Sequence, residues 1–317
     1  MMGEPRRILV LKLGALGNII LSLGPFATIR HHHANARITL LTSGPFADWL
    51  ARAPWFDRVW LDERPQWWDF SGFMRLRQKL IDGRFELAYD LQTSGRSSRY
   101  FQLIPHTSRP AWSGIAYGCA LPDRDPNRNR MHDIDRQYGQ LGQAGITGRE
   151  PVDLSWSHAD IAPFGLPQHF ALLVPGSSAH RPKKRWPIQR YTELAAMLAS
   201  CGLTTVVVGT APERPLADAI PGAIDLTGRT NFSELTSVAR AARVAVGNDT
   251  GPMHLFAAVG CPSVVLFSCE SDPALCAPRG PTVRVLRRPQ LAGLDAATVM
   301  AAAAAIVPAK TGAPAHG

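Results

Sequence analysis

Apolar residues fall in short runs along this chain, each ending on small or polar residues, and the period of each run predicts an element. "RILVLKL" (7–13) is almost continuously apolar, as a strand buried on both faces requires. "GALG" (14–17) then frees the backbone, and a helical pattern runs from Asn18, a good N-cap residue, towards Arg30. "RITLLTS" (37–43), "RVWLD" (58–62) and "FELAYDLQ" (85–92) read as further strands, "FMRLRQKLI" (73–81) and "SSRYFQLI" (97–104) as helices. Strand and helix in turn predict a parallel, doubly wound sheet.

The pattern lapses and then restarts. "LPDRDPNRNRMHD" (121–133) is charged and poor in apolar residues, which predicts an exposed loop. "EPVDLSWSHADIAPFGLPQ" (150–168) has the proline content of a linker, so the expected domains are 1–160 and 161–317. Beyond it come a strand in "HFALLVPGSS" (169–178), a helix in "PIQRYTELAAMLASCG" (187–202) and a strand in "LTTVVVGT" (203–210). The helix has Pro187 at N1, Ile188, Tyr191, Leu194, Ala195 and Leu198 on one face, and Gly202 as its cap. "NFSELTSVARAA" (231–242) has capping-box spacing between Asn231 and Glu234. "RVAVGND", "PMHLFAAVG" and "PSVVLF" continue as strand, short helix and strand. Two similar α/β halves are expected, with ligands beyond the carboxyl ends of their strands, in a cleft between the halves.

Composition sharpens this picture only in part. Arg6 and Arg7 before an apolar run imitate a signal peptide, but Lys12, Asn18 and two glycines break the run as a membrane span; "MAAAAAIV" (300–307) is too short to be one. A net charge of +9 favours anionic partners without choosing among nucleic acid, phosphorylated metabolites and an acidic membrane. The five cysteines, irregularly spaced and without a CxxC pair, indicate neither a zinc site nor a disulfide framework; buried free thiols in a reducing compartment are expected.

Three strand-to-helix junctions could carry chemistry. In "KLGALGN" (12–18) backbone N–H groups could cradle an anion, although a structural turn accounts for it equally. In "PGSSAHRPKKRWP" (175–187) hydroxyls and ammonium groups beside a helix start suit a diphosphate, against the alternative of a solvated basic loop. In "NDTGPMHLFAAVGCP" (248–262) Asp249, Thr250, Gly251 and His254 surround one strand end, which favours a functional reading over a lone structural histidine.

These segments resemble the heptosyltransferases, glycosyltransferase family 9. The third is similar to a signature that opens D-[ST]-G-x-x-H and continues through alanines to G-x-P, with Phe256 at the first alanine position. "PGSS…KRWP" resembles the family's P-G-[AS]-S…K-x-W-P, "GTAPE" (209–213) its G-x-x-x-E, and "LGALGN" (13–18) its L-G-A-[IL]-G-D. The matches stand in order across nearly the whole chain. The resemblance implies a GT-B fold: α/β, two Rossmann-like domains with parallel sheets facing across a cleft, the N-terminal one for the acceptor and the C-terminal one for the nucleotide sugar. It implies inverting, metal-independent transfer of a heptose from an ADP-sugar to the inner core of lipopolysaccharide, with no cofactor, in the cytoplasm, with a peripheral place on the inner membrane as a further option. By matching position, Gly14, Ser177, Ser178 and Lys184 would meet the sugar diphosphate, Glu213 the ribose, and Asp249, Thr250, Gly251 and His254 the phosphate and sugar. Lys184 would neutralise the departing ADP.

The resemblance fails at one position. Where the family has an Asp taken to be the general base, this chain has Asn18, and a neutral amide cannot accept the proton. Asp90 or the His31–His33 run could replace it; the base could be dispensable beside an oxocarbenium-like transition state; the enzyme could be slow; or binding could survive without catalysis. Lys12, Arg96 and Arg99 are candidates for a lipid-linked acidic core oligosaccharide, with ordinary surface basicity as the alternative. The basic balance also fits a peripheral contact with an anionic membrane. Nucleic acid is the rival partner, but "RPKKRW" (181–186) is the one basic cluster with an aromatic, and its place at the diphosphate loop explains it, so none is expected.

Overall fold

A computed structural model describes residues 5–66, 68–178 and 180–307. The chain divides into two compact units, one up to His158 together with Ala274–Cys276, the other from Ala159 onward. Among the described residues no helix is long and apolar enough to cross a membrane.

The first unit runs β1 (Arg7–Lys12), α1 (Leu16–Ile20), α2 (Leu23–His32), β2 (Arg37–Thr42), α3 (Gly44–Leu50), β3 (Arg58–Leu61), α4 (Phe70–Asp82), β4 (Leu87–Asp90), α5 (Gly95–Leu103), β5 (Ala111–Gly114), β6 (Leu121–Pro122) and α6 (Asp133–Gln143). Its strands are all parallel, in the order β3-β2-β1-β4-β5-β6. The continuous apolar run of β1 is explained by its place: it lies mid-sheet, and Ile8 to Leu11 are fully buried. Leu76 and Leu80 of α4 share one core cluster with Tyr100 and Phe101 of α5 and Leu9, Leu11 and Leu41 of the sheet, so both helices cover the same sheet face.

The second unit runs β7 (Phe170–Val174), α7 (Ile188–Ser200), β8 (Thr204–Val207), α8 (Arg214–Asp218), β9 (Ile224–Asp225), α9 (Phe232–Ala241), β10 (Val244–Asn248), α10 (Gly251–Ala258), β11 (Ser263–Phe267), β12 (Val283–Arg287) and α12 (Ala296–Ile306); the short α11 (Pro273–Cys276), between β11 and β12 in sequence, belongs apart from Pro273 to the first unit. Its parallel order, β12-β11-β10-β7-β8-β9, repeats the first unit's topology strand for strand. Tyr191, Leu194, Ala195 and Leu198 of α7 are buried, and Gly202 adopts φ +75° just past its end, as its sequence implies. The Asn231–Glu234 capping box forms: Asn231 accepts from the N–H groups of Ser233 and Glu234, and Glu234 accepts from Asn231 N–H at 2.7 Å. Two Rossmann-like units of one topology in a single chain are the constituents of the α/β GT-B fold.

Several local expectations need correction. Asn18 is not an N-cap. Helix α1 starts two residues earlier, with Ala15 at its cap, so Asn18 is its third residue. Nor does one helix run from Asn18 to Arg30. Pro25 inside such a helix would have no N–H and would collide with the carbonyl of Leu21, so the chain turns at Leu21–Ser22 and restarts as α2 with Pro25 in its first turn. Pro187 is the N-cap of α7, one position before N1. The charged stretch 121–133 contains β6 and a short 3₁₀ turn at Arg128–Arg130, organised by an ion pair between Arg128 and a buried Asp123 carboxylate at 2.8 Å. Of the five free thiols only Cys261 is buried, and Cys201 and Cys269 are exposed.

Candidate functional site

In the second unit the loops leaving β7, β8 and β10 bring the expected sugar-nucleotide residues together. The framework is Asn248, the last residue of β10, fully buried. Its amide donates to the carbonyls of Pro175 (2.9 Å) and Gly176 (3.1 Å) and accepts from Trp186 N–H at 3.0 Å. One neutral side chain thus ties the "PGSS" loop to the "KRWP" loop. Trp186 is itself buried, with its indole N–H on the Leu294 carbonyl, and Tyr191 O–H donates to Val174 at the end of β7.

On this framework Lys184 Nζ reaches Asp249 Oδ2 at 2.5 Å, and Ser271 Oγ donates to the same oxygen at 2.6 Å. His254 Nε2 lies 3.9 Å from Asp249 Oδ1. Thr250 caps α10, so Gly251 and His254 both lie in that helix's first turn, where backbone N–H groups are unsatisfied by the helix. Ser177 is buried and receives Arg185 Nε at 3.1 Å, whereas Ser178 is exposed.

Glu213 joins through glycine. Its Oε2 accepts from the N–H and hydroxyl of Thr210, at 2.7 and 2.9 Å. Its Oε1 fills the space beside Gly176, where a Cβ would lie 1.9 Å from that oxygen. Ser177, Lys184, Glu213, Asp249, Thr250, Gly251 and His254 therefore belong to one linked set of loops at the carboxyl edge of one sheet.

The first unit treats its expected residues differently. Asn18 is exposed, and its side chain folds over Gly14, where a Cβ would come within 2.6 Å of Asn18 Nδ2. Its carbonyl accepts from Ser22 Oγ at 2.7 Å. The β1 loop is fixed around Leu13, whose N–H donates to Gln92 Oε1 and whose carbonyl accepts from Ser43 Oγ, both at 2.9 Å.

Asp90 is fully enclosed at the end of β4, so it does not reach a substrate as the sequence suggested. Its Oδ1 accepts the N–H groups of Gln92 and Thr93, which holds Thr93 at φ +42°. Burial pushes its carboxyl up to about 6, against the opposing pull of Ser97, the two backbone N–H groups and Lys12. Asp62 does the same after β3: buried, it accepts from Arg64 N–H at 3.0 Å, and Arg64 adopts φ +51°.

Lys12 needs the same correction. It is 3% exposed, donates to the Leu91 carbonyl at 2.9 Å and lies 3.8 Å from Asp133 Oδ2. Burial lowers its pKa, with Asp133 opposing. It is an internal strut and offers no ammonium to an acceptor. Arg96 is half-buried, reaching the Pro65 carbonyl and Tyr100 hydroxyl at 3.4 Å, and Arg99 is exposed. His31–His33 lie at the carboxyl end of α2, just before β2, where His31 meets Glu150 and His33 meets Tyr89 O–H. That is the amino-terminal end of the strands, away from the β1 loop.

Sequence reasoning missed Asn248, Ser271 and Gln92. Asn248 had a usable signal, a polar side chain closing the apolar strand "VAVG" directly before Asp249. Ser271 and Gln92 had none, because they act through loops distant in sequence.

The family model described as glycosyltransferase family 9 (heptosyltransferase) matches residues 73–299. The chain belongs to that family. Lipopolysaccharide heptosyltransferase 2 of Salmonella typhimurium is 25% identical over 309 residues, covering 89% of this chain and 88% of the relative. Its Escherichia coli counterpart matches to the same extent. Among solved structures, a glycosyl transferase family 9 protein from Veillonella parvula superposes with a TM-score of 0.80 at 20% identity, over 95% of this chain and 97% of that one. E. coli heptosyltransferase WaaC with ADP superposes at 0.71 and 20% identity, over 92% and 97%. This family member is thus a glycosyltransferase, built on the family's fold. The matched segment begins after Asn18, so the departure at that position lies outside it.

Proposed function

We propose that this glycosyltransferase moves a heptose from an ADP-sugar to an inner-core acceptor of lipopolysaccharide, with inversion and without a metal ion. The second unit takes the sugar nucleotide and the first takes the acceptor. The observation that carries the reading is the linked set around Asn248: an ammonium, a helix start, a buried serine and a half-free carboxylate at one sheet edge. A diphosphate would draw Lys184 from Asp249 and lie against the N–H groups of α10, so negative charge developing on departing ADP meets fixed positive ends. Glu213 Oε1, clear of the Thr210 bonds, is placed to accept from ribose hydroxyls. The names of the relatives, and the ADP held by the solved E. coli relative, support the choice of nucleotide and acceptor.

In inversion the acceptor hydroxyl attacks the anomeric carbon opposite ADP, the carbon–oxygen bond to phosphate breaks, and the hydroxyl proton leaves. Asn18 cannot take that proton. Asp90, the nearest carboxylate in the sequence reading, is sealed in its turn. This favours a second reading beside the first: a catalytically weakened homologue that binds the sugar nucleotide and transfers slowly, with water or phosphate taking the proton. Arg96 and Arg99 remain the cations for an acidic, lipid-linked acceptor. The exposed aromatics Trp68, Phe70 and Tyr117 of the same unit suit peripheral contact with an anionic membrane.

Calorimetry with ADP, UDP and GDP, followed by ADP release on mixing ADP-heptose with core acceptor, tests the reading. ADP is expected to bind tightest, and Lys184→Ala to weaken it by roughly 10- to 100-fold, the loss of a charge-assisted contact. Equal affinity for the three nucleotides, or no effect of Lys184→Ala, would refute it. Binding without ADP release would select the non-catalytic reading.

A further inference from the structure

At the opposite edge of the first sheet, where the strands begin, α4 and the starts of β1, β2 and β3 enclose a concavity of about 610 Å³. Arg7, Arg37 and Arg58 are the first residues of three adjacent strands. Arg7 stands directly opposite Arg37, and Arg58 opposite Thr39 on the neighbouring strand, so all three start on one sheet face. Like charges directly opposite each other in a sheet are destabilising, and none of the three makes an ion pair among the described residues. Of the carboxylates nearby, Asp57 is paired with Arg30 at 2.5 Å and also feels the charge of Arg37, Asp82 accepts from Gln78, and Glu86 accepts from Arg6 N–H.

The wall opposite adds charge and an apolar floor. Arg75 and Lys79 of α4 line the concavity, and Lys79 Nζ sits 5.2 Å from the ring centre of Trp60, which packs edge-on against Phe85. Five cations, of which Arg75 also pairs with Glu63 at 3.4 Å, and one acid, Asp82, therefore line an aromatic base. This is separate from the sugar-nucleotide loops and is used by no step above.

We propose that this concavity is a second anion site, for a phosphate-bearing ligand whose apolar or ring portion rests on Trp60. Guanidinium groups on adjacent strands offer N–H forks, which suit phosphate oxygens, and a bound phosphate offsets the repulsion between Arg7 and Arg37. The phosphate belongs either to a soluble phosphorylated metabolite or to a lipid headgroup. The site does not depend on the assignment of the sugar nucleotide.

The test uses Lys184→Ala as background, so that the diphosphate loop does not contribute, and compares it with the same chain carrying Arg37→Thr/Arg58→Thr. Arg284→Thr/Arg288→Thr in the second unit is the charge-matched control, and circular dichroism confirms folding of each. Inorganic pyrophosphate is titrated by calorimetry and by thermal shift at constant ionic strength; phosphatidylglycerol vesicles, with phosphatidylcholine as reference, are tested by co-sedimentation. The proposal expects the Arg37/Arg58 pair of substitutions, and not the control pair, to weaken at least one of these ligands about tenfold or more and, where that ligand is pyrophosphate, to abolish the rise in Tm that it induces. Loss of pyrophosphate binding alone assigns a soluble phosphate; loss of vesicle binding alone assigns a headgroup. Unchanged binding of both, or an equal loss in the control pair, overturns the site. A folded but inert Arg37→Thr/Arg58→Thr chain is checked with Lys79→Ala, which must weaken the same ligand.

Discussion

The two units share one strand order, yet they solve the same local problem with opposite chemistry. In each, the fourth strand ends beside the first on a fully buried polar residue that fastens the neighbouring loop: Asp90 after β4, Asn248 after β10. In the first unit the work falls on charged groups. Asp90 holds its own turn, and Lys12 reaches across to Leu91. In the second unit a neutral amide does it, making three bonds without a buried charge. That leaves the Lys184 ammonium paired with the Asp249 carboxylate, and a side-chain pair of this kind can be exchanged for a ligand. A shared topology therefore does not fix where chemistry sits; the residues at the strand ends do.

The largest effect is expected from making the second unit copy the first. Asn248→Asp would point a carboxylate at the carbonyls of Pro175 and Gly176 in a site with no solvent access. A loss of ~3–5 kcal/mol in urea denaturation, with loss of ADP binding, is expected. A near-neutral result would break the comparison. The reverse exchange, Asp90→Asn, keeps an oxygen for Gln92 and Thr93 and removes the buried charge. Because the folded-state pKa is raised from 3.8 to about 6, the stability linked to Asp90 is fully present below pH 3.8 and is lost as pH rises through about 6. The variant should therefore exceed the parent by up to ~3 kcal/mol at pH 7 and match it near pH 4, read from denaturation curves at both values.

Gly176→Ala is next. Its Cβ would collide with Glu213 Oε1, so the carboxylate must swing away from the "PGSS" loop. A loss of ~1–2 kcal/mol is expected, with ADP affinity falling about tenfold. If a crystal structure of the variant showed Glu213 in place, the coupling between the two loops would be wrong. The smallest effect on stability belongs to Asn18→Asp. A carboxylate in the first turn of α1 gains ~0.3–1 kcal/mol from the helix dipole, while ADP release with acceptor present is expected to rise as a base is restored. A variant that binds ADP normally but stops turning over would give Asn18 a positive catalytic part.

Much of this could be read along the chain. The central strands of both sheets announce themselves as apolar runs, α7 by its stripe, and α9 by its capping box, because these depend on neighbours within a few residues. The strands β5, β6, β9 and β12 and the helices α3, α6, α8 and α12 carry no clear pattern. β6 and β9 are two residues long, and α12, rich in alanine, lacks the polar face that would reveal a period. The segments of the sugar-nucleotide loops were legible as motifs. Their connections were not, since Asn248 and Gly176 meet across 72 positions of sequence.

By itself the sequence determined the alternation of strand and helix, the two-unit plan and the family, since each rests on local periodicity or on contiguous motifs. Tertiary structure decided which charged residues are available. Lys12 and Asp90 look like surface chemistry in the sequence and prove to be enclosed, whereas Arg7, Arg37 and Arg58, distant along the chain, stand side by side in register. Burial and proximity set the cost of a charge, and both are properties of strands brought together from far apart in the chain.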